Sequence, residues 1–376
     1  MLQSVNGFLE SIDSLLAHIE FENDRNMFFQ SGSKKYVGDS ELEEEFRWFV
    51  ENKIRPALIN SKSFTYKNAI ISLYGYLENY LEEIVKEYIG AIEKHCDQFT
   101  KLPSGIKKNH LNSSIELINK VQKVKASSLE YKNRTLKEIV RNMYTCMHDG
   151  SNFSVNLDAF ALHTANFRYD SIHALFQKIG ITGISKKCLE KANFVRELAS
   201  KHSIDSTVDR KVLTSLLISE LDDLAQRRNE IAHGVVLNDI ESLDLLRSRI
   251  LLVRSYGKAI NEVVSDSLNQ FLYSISKKIY LGKPAKLFQK INVFSFLPNI
   301  EYDCLGENEI RVGDLIYAEN HKSKEKIIVG DIISIRKGGD TSLDNLSLPP
   351  SDPYSIGVNF KITSHMSNRD IYVAKQ

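Results

Sequence analysis

The feature that most constrains this chain is a change of period partway along it. Up to about residue 280 the apolar residues recur every three or four positions, the repeat of helices that each bury one stripe. Beyond Gly282-Lys283-Pro284 they fall in short β-rich runs separated by Gly, Asn, Asp and Pro. Such a chain is expected to be multidomain α plus β: an all-helical bundle over residues 1–282, then a small barrel-like β domain over 283–376. At 376 residues it is also too long for one small core.

Within the helical part, Val5, Phe8, Leu9, Ile12, Leu15, Leu16 and Ile19 mark a first helix over 5–21. A second over 39–58 opens with Glu41, Glu43, Glu44 and Glu45, which suit the positive end of a helix dipole and read as a solvated face rather than a metal site. Residues 63–95 are apolar on more than one face, through Ala69, Ile70, Leu73, Tyr76, Leu77, Tyr80, Leu81, Ile84, Val85 and Tyr88, as in the central helix of a bundle. Glu78 lies inside that pattern. Because a buried lone carboxylate is costly, it must point outward or meet a cation or imidazole from another helix. A helix from about Asp209 to His233 carries Leu213, Leu216, Leu217, Leu221 and Leu224 on one stripe, and Gly234 can end it in a left-handed conformation. A last helix is expected from about Ile240 to Tyr280. In the β part, strands are expected at Ile291–Phe296, Asp314–Ala318, Lys326–Arg336, Ile356–Ile362 and Asp370–Ala374, and Lys337-Gly338-Gly339-Asp340 fits a hairpin turn.

The whole chain carries a net charge of only +1, so any nucleic-acid affinity has to come from local patches. One segment qualifies. Residues 101–141 hold ten basic residues against Glu116, Glu130 and Glu138, a local net charge of +7. Its Lys107, Lys108, Lys123, Lys125, Lys132 and Arg134 form either a solvated face or a surface for RNA. With the turn-rich stretch that follows, it reads as a basic insertion over about 101–166. Cys96, Cys146, Cys188 and Cys304 form no CxxC pair and read as reduced thiols of a cytoplasmic protein. The N-terminal stretch does not read as a signal peptide, and no run approaches the ~18 apolar residues of a membrane span. No Walker-type or GxGxxG sequence occurs, no ligand spacing calls for a metal, and no cofactor is implied. His163 and His173 have no partner at ligand spacing.

Chemistry concentrates in Arg227-Arg228-Asn229-Glu230-Ile231-Ala232-His233-Gly234. A helix turns ~100° per residue, so Asn229 and His233 share a face while Arg228 lies roughly 140° from His233. Facing this helix with a second copy would let two chains build one cleft. Histidine titrates near neutral pH and serves as acid or base, and arginine offers a planar fork to two phosphate oxygens. Together they suit cleavage of RNA by its own 2′-hydroxyl, which needs no metal and leaves DNA intact.

The phrase Leu224-x-x-x-Arg228-Asn229-x-Ile231-Ala232-His233-Gly234, closing a long helix of an all-helical domain, resembles the HEPN superfamily, whose signature is Arg, four to six residues, then His. Leu73-x-x-x-Leu77-Glu78-x-x-Leu81 resembles the first core helix of such proteins. The resemblance implies a metal-independent endoribonuclease that leaves 2′,3′-cyclic phosphate and 5′-hydroxyl ends and works as a homodimer with the motif helices facing each other. By it, Arg228 holds the scissile phosphate, His233 is the acid–base group and Asn229 is a polar helper; Glu78, from its place in the apolar pattern, is a candidate support for the site or else part of a structural salt bridge. It places the chain among toxin, abortive-infection or antiviral defence effectors acting on tRNA or other structured RNA, with a partner protein of the same system. One subgroup carries a tyrosine two residues after the histidine for regulation by its antitoxin; here that position is Val235. The alternative is a non-catalytic HEPN protein that binds RNA or docks a partner such as a defence ATPase. In that case His233 caps its helix while Arg228 pairs with Glu230 or Asp223.

Overall fold

The computed structural model describes residues 2–35, 41–124, 129–148, 152–163, 166–235, 239–298, 308–319, 327–338, 341–348 and 350–375. Eleven α-helices precede ten β-strands among them. The chain divides into two compact units, Met1–Ser265 and Asp266–Gln376.

Helix α1 runs over Ser4–Lys35, well past the apolar stripe that marks its first half. Its backbone start is held by Glu87, which accepts from Ser4 N at 2.9 Å. Its extension rests on a polar contact the apolar pattern does not carry. Glu22 is buried, pairs with Arg25 at 2.6 Å and accepts from Thr65 Oγ1 at 3.4 Å. Helix α2 (Glu41–Phe49), a π-helical turn (Val50–Ile54) and α3 (Arg55–Glu93) follow without a break, where the apolar spacing predicts two separate helices. The intervening Asn60-Ser61-Lys62-Ser63 stays helical, and Ser61 Oγ accepts from Arg25 at 2.9 Å.

Helix α3 is the centre of the helical unit and packs against α1 and two later helices, α6 (Leu157–Ala161) and α10 (Arg210–Ala232). Ile70, Leu73, Leu77, Leu81, Ile84, Val85 and Ile89 are fully or almost fully buried along it. Helix α11 (Leu243–Ile275) crosses close by at Gly257, where an added Cβ would meet the Phe8 ring at 2.2 Å. Tyr80 donates to the Gly257 carbonyl there at 2.9 Å and stacks on Phe8 at 4.6 Å.

The basic segment forms α4 (Ser104–Gln122) and α5 (Leu129–Met147), which pack together, and α4 also contacts α6 and α7 (Tyr169–Lys178). A buried polar knot ties the turn-rich stretch to them. His110 Nε2 accepts the Asn156 N–H at 3.1 Å, and the Asn156 amide donates to Ser114 Oγ at 2.9 Å and to the Ile139 carbonyl at 3.1 Å. Burial without a compensating charge pushes His110 down to about 4, so it stays a neutral acceptor. Helices α8 (Ile184–Cys188) and α9 (Ala192–Lys201) lead to α10, whose N-cap Asp209 accepts from Lys211 N at 2.7 Å.

Helix α11 stops at Ile275 rather than at Tyr280, because Lys277–Gly282 forms strand β1 and pairs antiparallel with the last strand, β10 (Asp370–Lys375). Ile279 and Leu281 alternate inward there, a strand's period that a helical reading of the segment overlooks. The other strands are β2 (Lys286–Phe288), β3 (Val293–Phe296), β4 (Asn308–Arg311), β5 (Leu315–Glu319), β6 (Ile328–Lys337), β7 (Thr341–Leu343), β8 (Asn345–Leu348) and β9 (Tyr354–Val358). The main sheet follows the order β1-β10-β5-β6-β9-β3-β2, antiparallel throughout, with β7 on β6 and a separate β4–β8 pair. The long β6 pairs with β5 through its first half and with β7 and β9 through its second, with a register shift at Ile332/Ser334. That shared strand bends the sheet around a core of Phe294, Phe296, Ile316, Ile335, Ile356 and Val373, the barrel-like form expected of this half. Gly338 takes a left-handed φ of +63° after β6, and Gly339 and Asp340 of the expected turn lie outside the described residues.

Among the described residues no helix is long and apolar enough to cross a membrane. Cys96, Cys146 and Cys188 are buried free thiols, and Cys304 lies outside the described residues.

Candidate active site

The last turns of α10 present two surfaces with different partners. Leu213, Leu217, Leu221, Leu224 and Ala225 bury the apolar stripe and fix the helix in rotation. His233 is the cap residue that follows Ala232, its N–H still bonded to the Asn229 carbonyl at 2.9 Å. Gly234 follows with φ +70°, a left-handed conformation that costs a Cβ-bearing residue roughly 1 kcal/mol. The helix therefore stops immediately after the histidine and leaves it exposed.

Arg227 belongs to the inner surface. Its Nε donates to Asp223 at 2.8 Å, and its Nη1 donates to Tyr66 Oη at 2.8 Å and to the Asp239 carbonyl at 3.0 Å. Asp223 also accepts from Arg249 at 2.7 Å, and Arg249, only 4% exposed, reaches Glu241 at 3.1 Å. Burial alone would raise the Asp223 carboxyl, but hydrogen bonding from Arg227 and the Arg249 charge hold it below the usual carboxylate range. Burial likewise opposes the charge of Arg227, which its bond to Asp223 more than restores, so its pKa is raised.

Arg228 belongs to the outer surface and is held far more loosely. Among the described residues its hydrogen bonds both leave Nη1, to Asn166 Oδ1 at 3.4 Å and Asn229 Oδ1 at 3.3 Å, long against the ~2.9–3.0 Å usual for such bonds. The guanidinium lies 5.1 Å from the centre of the Tyr74 ring, a cation–π contact that orients it and leaves donors of its fork available. Asn229 is fixed by Asn166, whose amide donates to its Oδ1 at 2.7 Å. Glu230 accepts from Gln226 at 2.9 Å, and Asp223 is taken by Arg227 and Arg249, so neither is recorded pairing with Arg228.

Tyr74 organises the floor. Its Oη accepts the Phe167 N–H at 2.7 Å and donates toward Glu78 at 3.4 Å. Burial, then the nearby Glu78 charge, push its hydroxyl up to about 12 against the opposing Phe167 N–H and Arg228, so it stays protonated at neutral pH. Glu78, inside the apolar pattern of α3, lies 3.8 Å from His163 Nε2, which also sits 2.9 Å from Glu82. The imidazole that Glu78 calls for therefore comes from the segment between α6 and α7. The structure thus joins Arg228, Asn229 and Glu78 through Tyr74, Asn166 and His163, three residues that motif reading does not supply. Tyr74, Glu78 and Glu82 do recur every four positions on α3, a polar stripe visible in the sequence.

The basic candidates are scattered in role. Lys107 Nζ donates to the Thr100 carbonyl at 2.6 Å, and Lys132 Nζ to the Gln122 carbonyl at 2.7 Å. Arg134 pairs with Glu138 at 3.5 Å, and Lys108 is exposed on α4. Lys123 lines a cavity that also receives His163. Lys125 lies outside the described residues. Among the described residues no group of three or more His, Cys, Asp or Glu side chains is placed to hold a metal ion.

A helical domain whose long helix closes on Arg-x4-His, with the arginine held loosely beside a second core helix, is a HEPN-type domain. The model of one such family, RiboL-PSP-HEPN, matches residues 40–266, and the chain belongs to that family. The match includes α3 and α10 and runs through the basic segment. Membership points to a nuclease or RNA-related function. Searches of curated proteins and of solved structures found no significant match.

Proposed function

We propose that this chain is a metal-independent endoribonuclease with Arg228 and His233 as its catalytic residues. The observation that carries the reading is the contrast at the end of α10: Arg227 is consumed by ion pairs, while the adjacent Arg228 rests on a ring face with long bonds and His233 stands exposed after the last turn. In the reaction a base removes the proton of the RNA 2′-hydroxyl. That oxygen attacks phosphorus, the bond from phosphorus to the 5′-oxygen breaks, and the departing oxygen takes a proton from an acid. The products are a 2′,3′-cyclic phosphate and a 5′-hydroxyl. Arg228 balances the charge growing on the phosphate oxygens, and Asn229 orients it. His233 performs one proton transfer, and a second copy of the helix end supplies the other in a homodimer. The exposure of His233, Gly234 and Val235 suits such an interface. Glu78 supports the site by fixing Tyr74 and His163.

The setting we propose is a toxin or anti-phage effector inside the cell, acting on tRNA or another structured RNA and governed by a partner protein. HEPN membership supports the RNA-related part of this reading.

The test is incubation of purified wild type and His233→Ala with total bacterial RNA in EDTA. Acid–base help contributes ~10²–10⁴ in rate and a charge-stabilising donor ~10²–10³. Wild type is expected to produce cyclic-phosphate ends at least about 100-fold faster than the variant and to leave DNA of the same sequence uncut. Equal rates, or an intact RNA pool with wild type, would sink the proposal.

A further inference from the structure

We infer that the cavity between α4 and α7 is a nucleotide subsite that receives the unpaired RNA segment next to the cleaved phosphodiester. This rests on the nuclease reading and adds where the substrate lies. The cavity encloses about 530 Å³, within the ~300–1,000 Å³ of small-molecule sites. Lys120 and Lys123 enter it from α4, Lys178 from the end of α7, and His163 from the segment between α6 and α7. Lys120 and Lys123 form no ion pair with any described residue, and Lys178 Nζ is turned to the Leu162 carbonyl at 3.2 Å. Glu116 is the opposing charge on the wall. It lies one turn before Lys120, where it can shield that lysine only in part, and three lysines still outnumber it.

The other lining groups are Leu162, Ala174 and Leu175, with Asn119 and Ser171 as polar points. A carbon floor under a rim of lysines suits a planar base joined to a phosphate. The imidazole of His163, 4.1 Å from the Phe167 ring, adds a stacking surface. RNA is read in this manner where its bases are unstacked and splayed.

Two walls of the cavity lead directly to Arg228. Ser171 Oγ donates to the Asn166 carbonyl at 2.9 Å, and the Asn166 side chain holds Asn229 and Arg228. His163 rests on Glu78 and Glu82, one and two turns along α3 from Tyr74, on whose ring Arg228 lies. The cavity and Arg228 thus share supporting residues, Asn166 on one side and the Tyr74–Glu78 stretch of α3 on the other. The basic pattern of 101–141 shows Lys123 but not this assembly, because Lys178 and His163 come from other segments.

The experiment measures binding of a 5′-fluorescein-labelled single-stranded RNA 12-mer of mixed sequence by fluorescence anisotropy. It uses the full chain carrying Arg228→Ala and His233→Ala to stop cleavage, with and without Lys120→Glu/Lys123→Glu. Charge reversal is expected to weaken binding at least tenfold. It should also flatten the dependence of log affinity on log salt by ~1.4, since each single-strand phosphate contact contributes ~0.7. Lys120→Gln/Lys123→Gln, a milder change, should give the same sign and guards against misfolding. Competition with AMP and with inorganic phosphate separates the sources of phosphate. An RNA subsite requires that neither displaces the 12-mer at low millimolar concentration. In the cleavage-competent chain the lysine pair should raise KM and leave kcat in place. Unchanged affinity and salt slope, or displacement by free phosphate, would overturn the subsite even if cleavage stands. Full cleavage by His233→Ala would instead overturn the nuclease reading and leave the binding result unaffected.

Discussion

The two faces of the last turns of α10 are built from the same kinds of residue to opposite ends. On the inner face Arg227 meets Asp223, Tyr66 and the Asp239 carbonyl, and Arg249 joins Asp223 to Glu241. Every charge there has a close partner, as burial demands. On the outer face Arg228 has an aromatic ring and two long bonds to amide oxygens, and His233 faces solvent. A cation so weakly satisfied is poor structural investment and good preparation for an anion. The lesson is that two adjacent arginines can be separated into scaffold and site by the partners they already have.

The comparison breaks most visibly if the inner face is opened. Replacing Arg249 with Met leaves Asp223 and Glu241 short of a partner, and removing one side of a buried pair costs ~3–5 kcal/mol. A fall in melting temperature of about 6–20 °C is expected, since each kcal/mol shifts a unit this size by ~2–4 °C. A drop within 2 °C would mean the inner face is not a clamp. A smaller effect sharpens the same rule at His110, whose satisfaction depends on staying neutral. Its folded pKa of about 4 lies below the 6.5 of an unfolded histidine. The unfolded chain therefore binds the extra proton between those values, and stability present above pH 6.5 is lost as pH falls toward 4, by about 3 kcal/mol from this group. Urea unfolding across that window should show the loss. In His110→Gln, whose amide oxygen can still accept the Asn156 N–H without titrating, this part of the slope should vanish. An equal slope in both would assign the pH dependence elsewhere.

Much of this arrangement is legible in the sequence, for definite reasons. The apolar stripe Leu213–Leu224 and the glycine at 234 place the helix end, because both signals are local. The change to a β domain is visible from turn residues and alternation, though β1 begins earlier than Gly282-Lys283-Pro284 because Lys277 and Lys278 disguise a strand. The reach of α1 is hidden, since it depends on a buried Glu22 that pairs across to Arg25 and Thr65. The site is half legible. Arg228, Asn229 and His233 are contiguous, and Glu78 is conspicuous inside an apolar pattern. Asn166 and His163 arrive from a segment more than sixty residues before Arg228 and Asn229, and only the packing of α6 and α7 against the bundle shows where they go.

The central claim is that Arg228 is a substrate-facing cation while Arg227 is scaffold. Arg227→Gln and Arg228→Gln, compared for initial RNA cleavage rate in EDTA and for melting temperature, test it most directly. Arg228→Gln should lose at least ~10²-fold in rate with its melting temperature nearly unchanged. Arg227→Gln should melt several degrees lower, from lost charge-assisted bonds of ~1.5–3 kcal/mol, while keeping most of its rate below its own transition. The reverse pattern, or two variants equally active, would contradict the account.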